Sequence, residues 1–250
     1  SITFNGNIVI ASGITLTIRY CNVSIAGTIN GVDSTSKLIN GFTAQATSLS
    51  FTTQNAAENS MAIGTADFTT YTTNTIGYTG NYSATIPSRF PAFHNITITG
   101  TGTKTLGVNT TLNGNLATGA NSILEASTYN LTVNGTCNFG SPSTFNKSGT
   151  GNLLFVGKVT GNNNTYINWS GNPNVEFRGG IDINFQGTPI VTGNGVWAFT
   201  TNSQEIGSNT YSGTYTLNCS VTIANGITLT NNAVCTLIVN NGIDGLGSTS

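Results

Sequence analysis

Thr105-Leu-Gly-Val-Asn-Thr-Thr-Leu-Asn-Gly-Asn-Leu116 and Tyr129-Asn-Leu-Thr-Val-Asn-Gly-Thr-Cys-Asn-Phe139 carry one short unit twice: strand, Asn-Gly turn, strand. The same grammar extends outward. Ile8-Val-Ile10, Ile14-Thr-Leu-Thr-Ile18, Val23-Ser-Ile25, Ile96-Thr-Ile98 and Val221-Thr-Ile223 alternate apolar with polar, which turns one face of each strand toward a core. Asn5-Gly6, Ser12-Gly13, Asn30-Gly31, Asn113-Gly114, Asn134-Gly135 and Asn225-Gly226 punctuate these runs, and their tolerance of positive φ suits tight turns. Short strands at this spacing fit a β-solenoid, in which each strand stacks on its equivalent in the next coil, or tandem β-sandwiches. Units of unequal length, with threonine for β-branched faces and asparagine for amide ladders, favour an irregular β-solenoid.

The two ends repeat each other. Thr3-Phe-Asn-Gly-Asn-Ile-Val-Ile-Ala-Ser-Gly-Ile-Thr-Leu-Thr17 returns as Thr216-Leu-Asn-Cys-Ser-Val-Thr-Ile-Ala-Asn-Gly-Ile-Thr-Leu-Thr230. Ile29-Asn-Gly-Val-Asp-Ser-Thr-Ser36 likewise answers Ile243-Asp-Gly-Leu-Gly-Ser-Thr-Ser250. Self-similarity of this kind reads as part of an array, whose usual role is structural or adhesive. The chain divides into β-repeat regions at 1–42 and 93–214 and a further copy of the N-terminal repeat at 215–250. Residues 43–92 have weak alternation and read as an insertion or long loop. Ala56 to Met61 is expected to make a single helical turn there, and Tyr71, Tyr78 and Tyr82 are its candidate ligand-binding side chains.

Charged residues make up 6% of the 250, against roughly 25% in ordinary soluble domains. The 37% hydrophobic content, regularly spaced, argues for a packed fold over disorder. Seven Lys and Arg against eight Asp and Glu leave a net charge of −1 with no basic cluster, which argues against nucleic acid. No apolar run approaches the roughly 20 residues of a membrane span. Ser1-Ile-Thr-Phe carries no leader pattern, so any secretion signal is expected to be already removed or to lie outside these residues. Cys21, Cys137, Cys219 and Cys235 lack CxxC spacing, and His94 is the single histidine, so no metal or other cofactor is expected. Buried free thiols are favoured over disulfides.

Phe93-His-Asn-Ile-Thr-Ile-Thr-Gly-Thr-Gly-Thr-Lys-Thr-Leu106, then Thr111-Leu-Asn-Gly-Asn-Leu116 and Ser127-Thr-Tyr-Asn-Leu-Thr-Val-Asn-Gly135, resemble repeats of very large secreted surface proteins and adhesins of Bacteroidetes-type bacteria. Fibres or spikes of phages that infect such bacteria are similar. The resemblance is strongest over residues 90 to 140 and implies an extracellular, β-rich, non-catalytic fibre segment. Its partners would be further copies or adjacent repeats and a cell-surface glycan.

Candidate chemistry is sparse. Glu176 and Arg178 share a strand face, and Glu176 with Asp182 would be a glycosidase-like carboxylate pair if the strand continued. Gly179-Gly180 is expected to break it, leaving a surface ion pair. His94 lacks a Gly-x-Ser-x-Gly partner, so no catalytic residue is assigned. Thr15/Thr17, Thr97/Thr99 and Thr228/Thr230 would bind ice or a crystalline polysaccharide only if stacked on one face. Trp169, with Asn168, Asn172 and Asn174, is a candidate sugar platform, for which core packing is the favoured alternative, and Trp197 and Phe199 read as core. The sequons at Asn95, Asn130 and Asn218 are chance products of an Asn- and Thr-rich chain.

Overall fold

The computed structural model describes residues 1–43, 45–161, 164–183, 195–206, 214–217, 219–231 and 236–245. The chain is a stack of about ten turns of parallel β-solenoid. Each complete coil has three sides. Leu116–Thr118, Ser122–Glu125 and Leu131–Val133 make one coil, and Cys137–Phe139, Ser143–Asn146 and Leu153–Phe155 stack on them in the same order. Leu116, Cys137, Val159 and Ile181 occupy one register position on successive coils.

The first side is a continuous sheet of eleven strands running from Ile2–Phe4 to Leu229–Asn231. The third side begins with Thr15–Ile18, Lys37–Asn40 and Thr65–Asp67 and continues as eight strands from Ala92–Phe93 to Ile243–Gly245. The junction is carried by the His94 N–H, which donates to the Phe68 carbonyl at 2.6 Å. The second side holds Ile8–Ile10 and Ile29–Gly31, then the helix Gln54–Asn59, then five strands from Ala84–Ile86 to Thr165–Asn168. Every strand pairing among the described residues is parallel, apart from an isolated bridge between Phe42 and Gln45. Hairpin-built sandwiches are antiparallel, so that alternative is excluded.

Residues 43–92, expected as an insertion or long loop, are instead built into the stack. Thr47–Phe51 and Asn74–Thr79 pair over five positions inside the first side. The helix replaces one strand of the second side. Thr53 caps it by accepting from the Ala56 N–H at 3.1 Å, and the Met61 N–H donates to the Ile29 carbonyl at 2.6 Å, which keeps the coil-to-coil contact. Alternation was weak here because Thr47 and Asn74 point inward as polar residues and Gly77 takes an outward-neighbouring strand position.

Two devices make the corners. In the turn from third to first side, Gly114, Gly135, Gly157 and Gly179 form a column. A Cβ on Gly157 would lie 2.3 Å from the Gly135 carbonyl oxygen, and one on Gly179 would lie 2.4 Å from the Gly157 carbonyl carbon. Close backbone approach, rather than positive φ, is therefore why Asn-Gly recurs at this corner. Of the six turn glycines read from the sequence, positive φ explains Gly13 (70°) and Gly226 (75°) alone, which are equivalent positions of the terminal repeat. Asparagine supplies the second device. The Oδ1 atoms of Asn95 and Asn115 accept from the backbone N–H of Asn115 and Thr136, both at 2.8 Å. The expected amide ladder thus runs from side chain to backbone of the next coil.

The core is the interior of the coil. From Phe139 onward it becomes an aromatic column, in which Phe155–Phe177 and Phe177–Phe199 stack at 5.6 and 5.3 Å between ring centres. Cys137 and Cys219 are buried free thiols and Cys21 is a half-buried one, while Cys235 lies outside the described residues. Burial raises the thiol pKa of Cys137, and that of Cys219 to about 12, so neither forms thiolate near neutrality.

The terminal repeat is preserved strand for strand but displaced. Ile2–Phe4, Ile8–Ile10 and Thr15–Ile18 lie on the first, second and third sides. Their counterparts advance by one side. Ser220–Ile223 pairs with Val196–Phe199 on the third side, and Leu229–Asn231 pairs with Gln204–Ile206 on the first. Coil-to-coil register survives the shift, since Ile8↔Ile29 becomes Val221↔Ile243. Among the described residues no helix is long and apolar enough to cross a membrane.

Candidate functional site

Short strands expose one central residue each on the outer surface of the third side. In register these read Thr132, Leu154, Glu176, Ala198 and Thr222. The small Ala198 between two larger neighbours opens a groove of about 540 Å³. Its floor is Leu154, Val196 and Ala198, and Asn130, Asn152 and Asn174 form one rim. The Asn130 Oδ1 accepts the Asn152 N–H at 2.7 Å, which fixes that rim to the coil stack.

Glu176 lies in the groove and is tied toward the following corner. Its Oε1 accepts from Arg178 Nε at 2.7 Å and from Thr200 Oγ1 at 2.6 Å. The Arg178 hydrogen bond, opposed by desolvation and helped by Thr200, holds the carboxyl below its ordinary range. Asp182 is not part of this arrangement. The chain turns at Gly179-Gly180, and Asp182 emerges on the first side, bonded to Lys158 at 3.0 Å. The two carboxylates thus belong to different sides, and the surface ion pair is the correct reading of Glu176 and Arg178.

The expected ligand-binding aromatics fare differently. Tyr78 is fully buried, with its ring 5.5 Å from Phe51, and burial raises its pKa. Tyr82 is half-buried and donates its hydroxyl to the Phe51 carbonyl at 2.6 Å, beneath the Lys104 ammonium 4.2 Å from its ring. Tyr71 is partly exposed and packs over Gly41. Trp169 is 2% exposed among Phe145, Phe155, Phe177 and Trp197, so it is a core residue and not a sugar platform. The structure does not bring these four together as a surface. Its inward position follows from that of Ile167, two residues earlier on the same strand side.

The threonine pairs make no continuous array. Thr97 stands between Gly77 and Ala117 in the outward row of the first side, and Thr230 pairs with Glu205. His94 is half-buried beside Gly114 at a corner. Asn95 is occupied internally, its Nδ2 donating to the Thr72 and Asn74 carbonyls, and Asn218 lies outside the described residues. No cluster of three or more His, Cys, Asp or Glu able to hold a metal occurs among the described residues.

A second feature lies at the open face of the first coil. Ile2, Phe4, Ile8, Leu16, Ile18 and Cys21 line an apolar hollow of about 380 Å³, which is the solenoid interior seen end-on. At the opposite end, among the described residues, Ile243 continues the inward row of the buried Val221 and is 55% exposed. Among the described residues, the first and last strands of each side have one unpaired edge.

Asn152, Leu154, Val196 and Ala198 had no individual signal in the sequence. They meet only through coil register, which links residues about two dozen positions apart. No protein-family model, no curated protein and no solved structure matches the chain.

Proposed function

We propose that the chain is a non-catalytic structural and adhesive segment of an extracellular β-rich fibre, of the kind suggested by the resemblance to bacterial surface repeats. Its mechanical element is the coil stack, and its recognition surface is the set of flat outer sides. The observation that supports this best is the unbroken eleven-strand parallel ladder, whose first and last coils among the described residues expose apolar residues of the inward row, Ile2 and Phe4 at one and Ile243 at the other. Such faces are covered by adjacent repeats or by further copies, because leaving them in water costs apolar burial and backbone pairing. A recognition role for residues 43–92 as a projecting loop is replaced by recognition on the sides.

Sedimentation tests this reading. The chain should associate end to end with rising concentration, and Ile2→Lys with Phe4→Lys should abolish association by placing charge on the open face, where those side chains line the hollow and are 47% and 40% exposed. Association unaffected by these changes would count against axial stacking.

A further inference from the structure

The groove on the third side has a chemistry of its own. Its floor is aliphatic, one rim is a row of carboxamides spaced by coil, and among the described residues its lining carries one charged group, Glu176, which Arg178 neutralises. Spanning five strands at about 4.8 Å each step, it is about 19 Å long and runs parallel to the rod axis. We propose that this groove binds a neutral polysaccharide chain lying along the rod. The proposal rests on the rod reading and names the partner class of its surface.

Three observations select that occupant. Carboxamides both donate and accept, as hydroxyls do, and the side chains of Asn152 and Asn174 make no hydrogen bond among the described residues. Glu176 lines the groove, and its doubly engaged Oε1 holds the carboxylate, a hydrogen-bond acceptor, in one orientation there. Leu154, Val196 and Ala198 then offer the C–H face of a sugar ring an apolar bed. A peptide adding as a strand is disfavoured, because these strands already pair on both edges. A polyanion finds no excess positive charge, and the ion pair at Glu176 and Arg178 repels neither sign strongly enough to reward a charged chain.

The test is electrophoresis of the whole chain in gels containing hydroxyethyl cellulose, dextran, galactomannan or polygalacturonate. Retardation is expected in at least one neutral gel and not in polygalacturonate. Ala198→Arg fills the groove from a half-exposed outward position, and Asn152→Ala with Asn174→Ala removes exposed amides. Each should weaken retention about tenfold or more, with circular dichroism and thermal midpoint unchanged. Absence of retardation in all three neutral gels, retention only by polygalacturonate, or retention that both variants leave intact would overturn the proposal. Loss of lateral self-association in Ala198→Arg without any polysaccharide retention would also overturn it, by making the groove a contact between copies. Sedimentation of the end-face variants reads the rod separately, so a failed groove and a failed rod give different results.

Discussion

Lys104 is the lysine of the Gly-Thr-Lys-Thr-Leu stretch, and it points into the core. Its ammonium donates to the carbonyls of Gly80, Tyr82 and Thr101 at 2.9, 2.6 and 3.1 Å, tying two coils at one corner. Lys147 does the same for Ser127 and Tyr129. Burial pushes both ammonium groups down to about 8 from 10.5. Between those values the unfolded chain holds protons that the folded chain has released, so each lysine makes stability rise with pH across that window. Tyr78 and Tyr82 act oppositely above it, since burial raises their pKa. Lys104→Met should therefore flatten the change in urea midpoint between about pH 7 and about pH 10 relative to the unaltered chain. Equal slopes in the two proteins would show that Lys104 titrates normally. Trp169 and Trp197, 2% and 3% exposed, give a second check at this scale. Iodide should quench neither, whereas one accessible tryptophan would restore a surface role for Trp169.

Strands were legible because each buries one face, so period-two alternation survives in as few as three residues, as in Leu131-Thr-Val133. The corners were legible as places but not as mechanisms. Asn134-Gly135 looks like a hairpin turn, yet its glycine is required by the coil beneath it. Gly157→Ala should accordingly destabilise by about 1–3 kcal/mol through overpacking. Gly6→Ala, where nothing lies within 4 Å, should stay within about 0.5 kcal/mol in chemical denaturation. Equal effects at the two sites would contradict the column. The aromatic stack makes a larger claim: Phe177→Ala, at the centre of four ring contacts, should cost about 3–5 kcal/mol in the same experiment. The helix Gln54–Asn59 was legible as a helical turn. Its place as a substitute strand was not, because that depends on which coil it meets. The groove was illegible for the same reason, since Asn174 and Val196 become neighbours only once register is known.

For the whole molecule, register is what converts scattered signals into a surface and a rod. The terminal repeat shows that one sequence can occupy different sides of the coil, so its strands specify stacking and alternation without specifying a side. Advancing by one side per copy would turn successive copies about the axis and present equivalent surfaces in different directions. Axial continuity is the property on which both the mechanical and adhesive roles depend. Electron cryo-microscopy of the assembly isolated from its source should show three-sided rods with a meridional repeat of about 4.8 Å and each open coil face covered by another coil. Discrete particles without that repeat, their coil faces covered by an unlike fold, would contradict the fibre.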